Sequence, residues 1–377
     1  MNLALSEEQE MLKKAARDFL SEKCSKSFVR QMEQDEKGCS PELWQELAKL
    51  GWLGLAFPEK YGGGDMTFLD LSVLLEEMGR ACLPAPFLTT VLLGGLPIVD
   101  AGSEEQKMQY LPQIASGKAI LSLALAEPGM GCGPEAIAVE AIPDGDSYVI
   151  NGSKLFVPYA HVADYLLCVA RTGKQREEIT IFIVNAKSPG IKCTVLETMA
   201  HDKLCEVVFD NVRAAKENIL GQPNQGWPEV QKAVERADVA KCCELAGNLQ
   251  WTLEDTITYA RERKQFGRPI GSFQVLQHYC ADIYTCVEGA RLSACQAAWT
   301  LSEGLPATSE IAIARLWINE ASPRVFNLAH QIHGAMGVTM EHDLHFYTTR
   351  SKVAELAYGQ DNYYRETVAR GMGLSQA

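Results

Sequence analysis

Residues 261–274, RERKQFGRPIGSFQ, gather Arg261, Arg263, Lys264 and Arg268 within eight positions of a chain whose net charge is −13. They follow an apolar-periodic stretch and precede a Gly-Arg-Pro-Ile-Gly turn. Cations at a helix C-terminus complement the helix dipole, so a plain charged helix end accounts for them. An anion site accounts for them too, because the planar arginine fork matches phosphate oxygens. A second group with possible chemistry is histidine-rich: His330, His333, His342, Asp343 and His345. Capping and packing suffice for these residues, so no metal is expected. Twelve cysteines are scattered without a CxxC or zinc-ligand spacing, and read as buried reduced thiols.

These groups need a scaffold. A chain of 377 residues with 47% hydrophobic and 22% charged content is long enough for two or three globular domains. The acidic balance argues against nucleic-acid or membrane-surface binding. The apolar runs 91–99 and 119–126 are too short to span a bilayer. The N-terminus lacks the basic and apolar regions of a signal peptide, so a cytoplasmic protein is expected.

Residues 1–120 read as an N-terminal helical domain. Ser6-x-x-Gln9 and Ser103-x-x-Gln106 are capping boxes, and Ser40-Pro41-Glu42 is an N-cap with proline at the first helical position. Apolar residues at helical spacing predict a helix over 66–80. Residues 121–222 read as a middle β domain with strands near 146–156, 164–170, 179–185, 190–196 and 204–210, and Asn151-Gly152 predicts a hairpin turn. Residues 223–377 read as a C-terminal bundle with helices over 227–264, 272–302, 307–334 and 345–371. Helices and strands that are segregated in this way give an α+β class without a dinucleotide-binding βαβ unit.

Several segments together resemble the FAD-dependent acyl-CoA dehydrogenase family. They are Pro58-Glu59-x-Tyr61-Gly62-Gly63, Ala124-Leu125-Ala126-Glu127-Pro128-Gly129-Met130-Gly131, Asn151-Gly152-x-Lys154-x-Phe156, Arg263-x-x-Phe266-Gly267 with Phe273-Gln274, and Gln331-Ile332-His333-Gly334-Ala335-Met336-Gly337. The resemblance implies a helical domain, a middle β-barrel and a four-helix bundle. It also implies FAD held across a subunit interface, with Ala126, Phe156 and Pro158 at the flavin ring. Arg263, Phe266, Gln274, Gln331, Gly334 and Gly337 would lie at the neighbouring subunit's pyrophosphate and adenosine. Gly129, Gly131 and Gly133 would let backbone approach a ligand closely, and Cys132 stands where the family has a residue near the thioester ligand, which makes a ligand contact a better reading than a nucleophile.

The reaction implied removes an α-proton and a β-hydride from an acyl-CoA thioester, with a carboxylate base, a flavin hydride acceptor and donors on the thioester carbonyl. An electron-transferring flavoprotein is the implied acceptor, and a homotetramer or an α2β2 heterotetramer the implied assembly. Three positions depart from the family. Ala126 and Pro158 replace hydroxyl residues beside the flavin ring, and Gly359 replaces the catalytic glutamate, leaving its backbone N–H as a donor for the thioester carbonyl. A second branch places its base where this chain has Ala237. The candidate bases are therefore Asp238 and Asp361, with Glu235 a third acid near the substrate. The displaced base points to a branched, cyclic or otherwise unusual acyl group. A degenerate subunit of a heteromeric dehydrogenase, or a flavin-bound acyl-CoA lyase or desulfinase, are the alternatives.

Overall fold

Side-chain caps set where the N-terminal helices begin. Ser6 and Gln9 exchange hydrogen bonds at the start of helix Glu7–Lys23, and Ser103 and Gln106 do the same for Glu104–Ala115. Ser40 caps Pro41–Lys49. A third capping box, Thr67 with Asp70, starts Phe68–Ala81; it follows the same rule with aspartate in the reciprocal position. The computed structural model describes residues 5–129, 131, 133–357, 359 and 361–374. Met130 and Cys132 lie outside them, and with Cys132 goes one candidate ligand contact.

Backbone packing divides the chain into two units. The helical unit comprises residues 1–30, 67–83 and 238–377. Here Gln9, already part of its own cap, donates to Asp70 Oδ1 at 2.8 Å, so two helix starts are tied together. Arg17 grips the buried Glu77 with Nε and Nη2, at 3.0 and 2.7 Å. Gly79 on Phe68–Ala81 and Gly247 on Trp227–Glu262 let these two helices touch backbone to backbone, since a Cβ at either would strike the carbonyl of Glu244 or Glu76. Helices Gln274–Ser302 and Thr308–His333 pack side by side, and Asp361–Gly371 packs on the second of them.

The expected helix over 345–371 is two helices, Leu344–Leu356 and Asp361–Gly371. The segment around Gly359 separates them, and glycine weakens a helix interior. The helix expected to run to 264 ends at Glu262. Lys264–Gln265 then pairs antiparallel with Arg268–Pro269. Phe266 and Gly267 form the two-residue loop with φ of 52° and 78°, the positive values that a twisted hairpin needs.

The mixed unit comprises residues 31–66 and 84–237. Its sheet contains β1 (Leu121–Ala124), β2 (Glu140–Asp144), β3 (Ser147–Pro158), β4 (Tyr165–Arg171), β5 (Ile179–Asn185), β6 (Ile191–Val195), β7 (Leu204–Ala215) and β8 (Ile219–Leu220). The order is β6-β7-β3-β2-β4-β5-β8, with β1 parallel to β4. A core of Ile150, Val157, Leu166, Phe182, Val207 and Phe209 fills one side. Asn151-Gly152 is not a hairpin turn. It lies inside β3 at a register shift against β7, with Gly152 at φ 136° and Asn151 Oδ1 accepting from the Asn211 amide at 2.8 Å. The β2–β3 turn falls instead at Gly145, φ 63°. The described cysteines are free thiols. Among the described residues, no helix is long and apolar enough to cross a membrane.

Candidate functional site

In the mixed unit, the motif residues converge on the end of β3. β3 gains one residue against β7 between Lys154 and Val157, which makes a bulge. On it stands Phe156, at φ 55° and 57% exposed. An aromatic residue with left-handed backbone is strained, and an exposed one gains little from packing in return.

The neighbouring loop is pinned from beneath. Lys154 Nζ, fully buried, donates to Glu127 Oε1 at 2.6 Å and to the Leu125 carbonyl at 3.1 Å. Glu127 also accepts from the Ala138 amide at 2.7 Å. The Leu155 amide bonds the Ala126 carbonyl at 2.8 Å. Glu127 and Lys154 thus fasten the loop to the strand that carries Phe156, and Gly129 extends from the loop at φ 148°. Ser122 Oγ donates to the Pro158 carbonyl at 2.6 Å, and the Tyr159 amide donates to the Lys203 carbonyl at 2.7 Å. Pro158 has no N–H of its own, and the Tyr159 amide is already bonded.

Phe156→Gly separates ligand binding from folding. Glycine relieves the positive φ, and little buried area is lost. The expected outcome is an unchanged or raised denaturation midpoint together with weaker FAD binding. A loss of stability above about 1 kcal/mol would identify Phe156 as a packing residue.

In the helical unit, the two basic and glycine-rich motifs form one groove of about 440 Å³. Arg263, Phe266, Gln331 and Gly334 line it, with Tyr259 and Phe273. Phe266 is 91% exposed at the hairpin tip and meets Phe273 edge-on at 6.1 Å. Arg268 lies over the Phe273 ring at 4.2 Å. Gly334, at φ 62°, ends helix Thr308–His333, and a Cβ there would meet nothing within 4 Å. The groove therefore combines flat apolar walls with a cation, a fit for an adenosine and the pyrophosphate beside it. Gln274 and Gly337 do not line it. Gln274 begins the next helix, and Gly337 makes room for His333, whose Cβ would lie 2.7 Å from an added Cβ.

The candidate bases have different surroundings. Asp238, 3% exposed, accepts from Tyr364 Oη at 2.8 Å and lies 3.3 Å from Arg315 Nε. Arg315 has no exposed surface, and its Nη2 bonds the carbonyls of Ala354 and Ala357 at 2.9 and 2.8 Å. Burial and the Asp238 carboxylate push the Tyr364 phenol well up, so it remains a donor. Asp238 is thus already engaged by Tyr364 and Arg315. Asp361 is partly exposed; it takes a 2.8 Å bond from Asn319 on Oδ1, and Arg365 approaches Oδ2 at 3.8 Å. The Gly359 amide donates to the Ala357 carbonyl at 2.9 Å, so in this conformation it is not free for a thioester. A Cβ at Gly359 would lie 2.9–3.2 Å from the Tyr364 ring and hydroxyl. In the other unit, Glu235 accepts a long 3.4 Å bond from Gln231.

The histidines divide. Asp343 pairs with Arg30, His345 bonds the His342 carbonyl, and His330 meets Thr348. His333 and His342 instead converge on Asp255. Sequence reasoning missed Asp255, although Asp255, Tyr259 and Arg263 follow the four-residue spacing of one helix face. It also missed Arg315 and Tyr364, which no local motif marks.

The comparisons agree along the chain. Residues 6–118, 122–212 and 224–373 match the N-terminal, middle and C-terminal domains of acyl-CoA dehydrogenase. The chain is 32% identical to "Probable acyl-CoA dehydrogenase YngJ" of Bacillus subtilis, covering 98% of this chain and 99% of that protein. It is 31% identical to "Cyclohex-1-ene-1-carbonyl-CoA dehydrogenase" of Geobacter metallireducens, with 98% of each covered. Among solved structures, the ChsE4-ChsE5 complex from Mycobacterium tuberculosis contains a chain with a TM-score of 0.91 and 29% identity, with 100% of both chains covered. With three domain matches in order and full-length relatives above 30% identity, the chain belongs to the FAD-dependent acyl-CoA dehydrogenase family, oxidoreductases that act on CH–CH groups.

Proposed function

We propose that this protein oxidises an acyl-CoA to the corresponding enoyl-CoA, with a branched, cyclic or otherwise unusual acyl group. The groove of Arg263, Phe266, Gln331 and Gly334 carries this reading, because it unites two distant motifs in one place suited to a dinucleotide. When bound, FAD supplies a hydride acceptor. In the assembly each FAD is held by residues of two chains: Arg263 at the neighbouring subunit's pyrophosphate, Phe266, Gln331 and Gly334 at that cofactor's adenosine, and Phe156 at the ring of this chain's own FAD. Ala126 and Pro158 give the ring fewer hydrogen bonds than hydroxyl residues would. An electron-transferring flavoprotein takes the electrons, in the cytoplasm, and the assembly is a homotetramer. The similarity to a dehydrogenase named for a cyclic acyl-CoA supports an unusual acyl group.

Asp361 takes the α-proton in this reading. Its carboxylate follows the Gly359 segment and keeps an accessible edge, whereas Asp238 positions that segment through Tyr364 and Arg315. Asp361→Asn is expected to slow flavin reduction by about 10²–10⁴-fold, with FAD content unchanged. Equal rates in variant and parent would remove Asp361 from the mechanism.

The packing of Tyr364 against Gly359 favours a second reading, since a side chain at that position would crowd the Tyr364 ring. Here the chain is one half of an α2β2 enzyme and lends its groove to a partner's FAD. Similarity to a chain of the ChsE4-ChsE5 complex supports this. Co-purification with a second, base-bearing chain, together with loss of colour when the two are separated, would favour it over the first reading.

A further inference from the structure

We propose that Asp255, His333 and His342 form a binding site for one zinc-class divalent cation beside the dinucleotide groove. Their ligand atoms lie within 4.8 Å of one another. Asp255 Oδ2 is 3.2 Å from His333 Nε2 and 3.9 Å from His342 Nε2. At metal–ligand bonds of about 2.0–2.2 Å, tetrahedral ligand atoms stand roughly 3.3–3.6 Å apart. Small side-chain movements bring the three into that range.

Two of these atoms ask for a partner. Asp255 Oδ2 and His333 Nε2 are buried, and neither makes a hydrogen bond. Native proteins leave few such atoms unsatisfied, and a cation shared between them satisfies both. The His333 side chain has no exposed surface, whereas Asp255 and His342 keep 30% and 18%, so an ion enters from their side.

The surroundings prepare His333 as a ligand. Its Nδ1 lies 2.8 Å from the Ala329 carbonyl, which only accepts, so the ring proton sits on Nδ1 and the lone pair on Nε2. A backbone carbonyl behind the ligating ring is a usual outer partner in metal sites. Tyr259 stacks on the ring at 4.5 Å and fixes its plane. His342 is the weakest of the three. Its Nδ1 accepts from the Leu344 amide at 3.2 Å, which leaves a proton on Nε2. Ligation moves that proton to Nδ1 and breaks this long bond. The ion therefore competes with the proton on His342 Nε2.

Two imidazoles and a carboxylate are a borderline donor set, suited to zinc, cobalt or nickel over magnesium or calcium. Three protein ligands leave a fourth position for water. The ligands come from helix Trp227–Glu262, the end of Thr308–His333 and the segment before Leu344, so the ion cross-links three parts of the helical unit.

The test uses the flavin-loaded protein as purified, stripped with chelator and titrated with Co²⁺, then Zn²⁺. The expected result is one Co²⁺ per chain with visible ligand-field bands, bleached by Zn²⁺, and a melting temperature raised by the ion. Asp255→Asn and His342→Gln should each weaken Co²⁺ binding by more than about tenfold. Both positions are partly exposed, and circular dichroism checks that the variants fold. The absence of Co²⁺ uptake by the parent would overturn the proposal whatever the variants do. Uptake unchanged in both variants would also overturn it, placing the ion elsewhere, for example on thiols.

Discussion

Arg315→Ala is expected to destabilise the helical unit by about 3–5 kcal/mol, the loss seen when one member of a buried charge pair is removed. Both partners are almost fully buried, with 0% and 5% of their side chains exposed. Alanine leaves the Asp238 carboxylate without its cation and the carbonyls of Ala354 and Ala357 without their donor. The denaturant midpoint should fall without a matching change in slope. Replacing Arg315 and Asp238 together with leucine should cost much less than the sum of the single variants, because no unpaired charge remains. A loss below about 1 kcal/mol for Arg315→Ala would mean that water reaches the pair and that the segment before Gly359 is not anchored there.

Arg263→Ala is expected to weaken FAD binding by about 10–100-fold, with little effect on folding. A hydrogen bond to a charged group contributes about 1.5–3 kcal/mol, and every 1.4 kcal/mol is roughly tenfold in affinity. Arg263 is exposed, so the fold does not depend on it. Arg263→Lys should recover part of the affinity, because charge survives while the planar fork is lost. The check is a flavin titration of the stripped protein, followed by protein fluorescence. Equal affinities in parent and alanine variant would move the pyrophosphate away from this arginine.

The parts of the fold legible in the sequence are those fixed by local chemistry. Ser6 with Gln9 and Ser103 with Gln106 cap helices because hydroxyl and amide groups three residues apart satisfy each other's neighbours in any context. Asn151-Gly152 misled because the same dipeptide serves a bulge as well as a turn, and the pairing of β3 with β7 decided between them. The helix over 345–371 misled because apolar periodicity carries across a break that one glycine allows. The groove was legible because its residues cluster in two short runs, 263–274 and 331–337. Gln274 and Gly337 show the limit of that, since a motif does not say which of its members line the groove. The surroundings of the base were not legible. Asp238, Arg315 and Tyr364 meet from three helices, and only packing reveals that Asp238 is already engaged while Asp361 keeps an open edge. Asp255 is similar: its spacing to Arg263 is visible, but its two histidines arrive from about eighty residues away.

The most direct measurement is the visible spectrum of the chain produced alone, supplied with FAD, desalted, and then mixed anaerobically with straight, branched, cyclic and aromatic acyl-CoAs. The account predicts a yellow protein whose flavin absorbance bleaches with a saturated acyl-CoA, most strongly with a branched or cyclic one. A colourless chain that retains flavin only when a second subunit is added would contradict it.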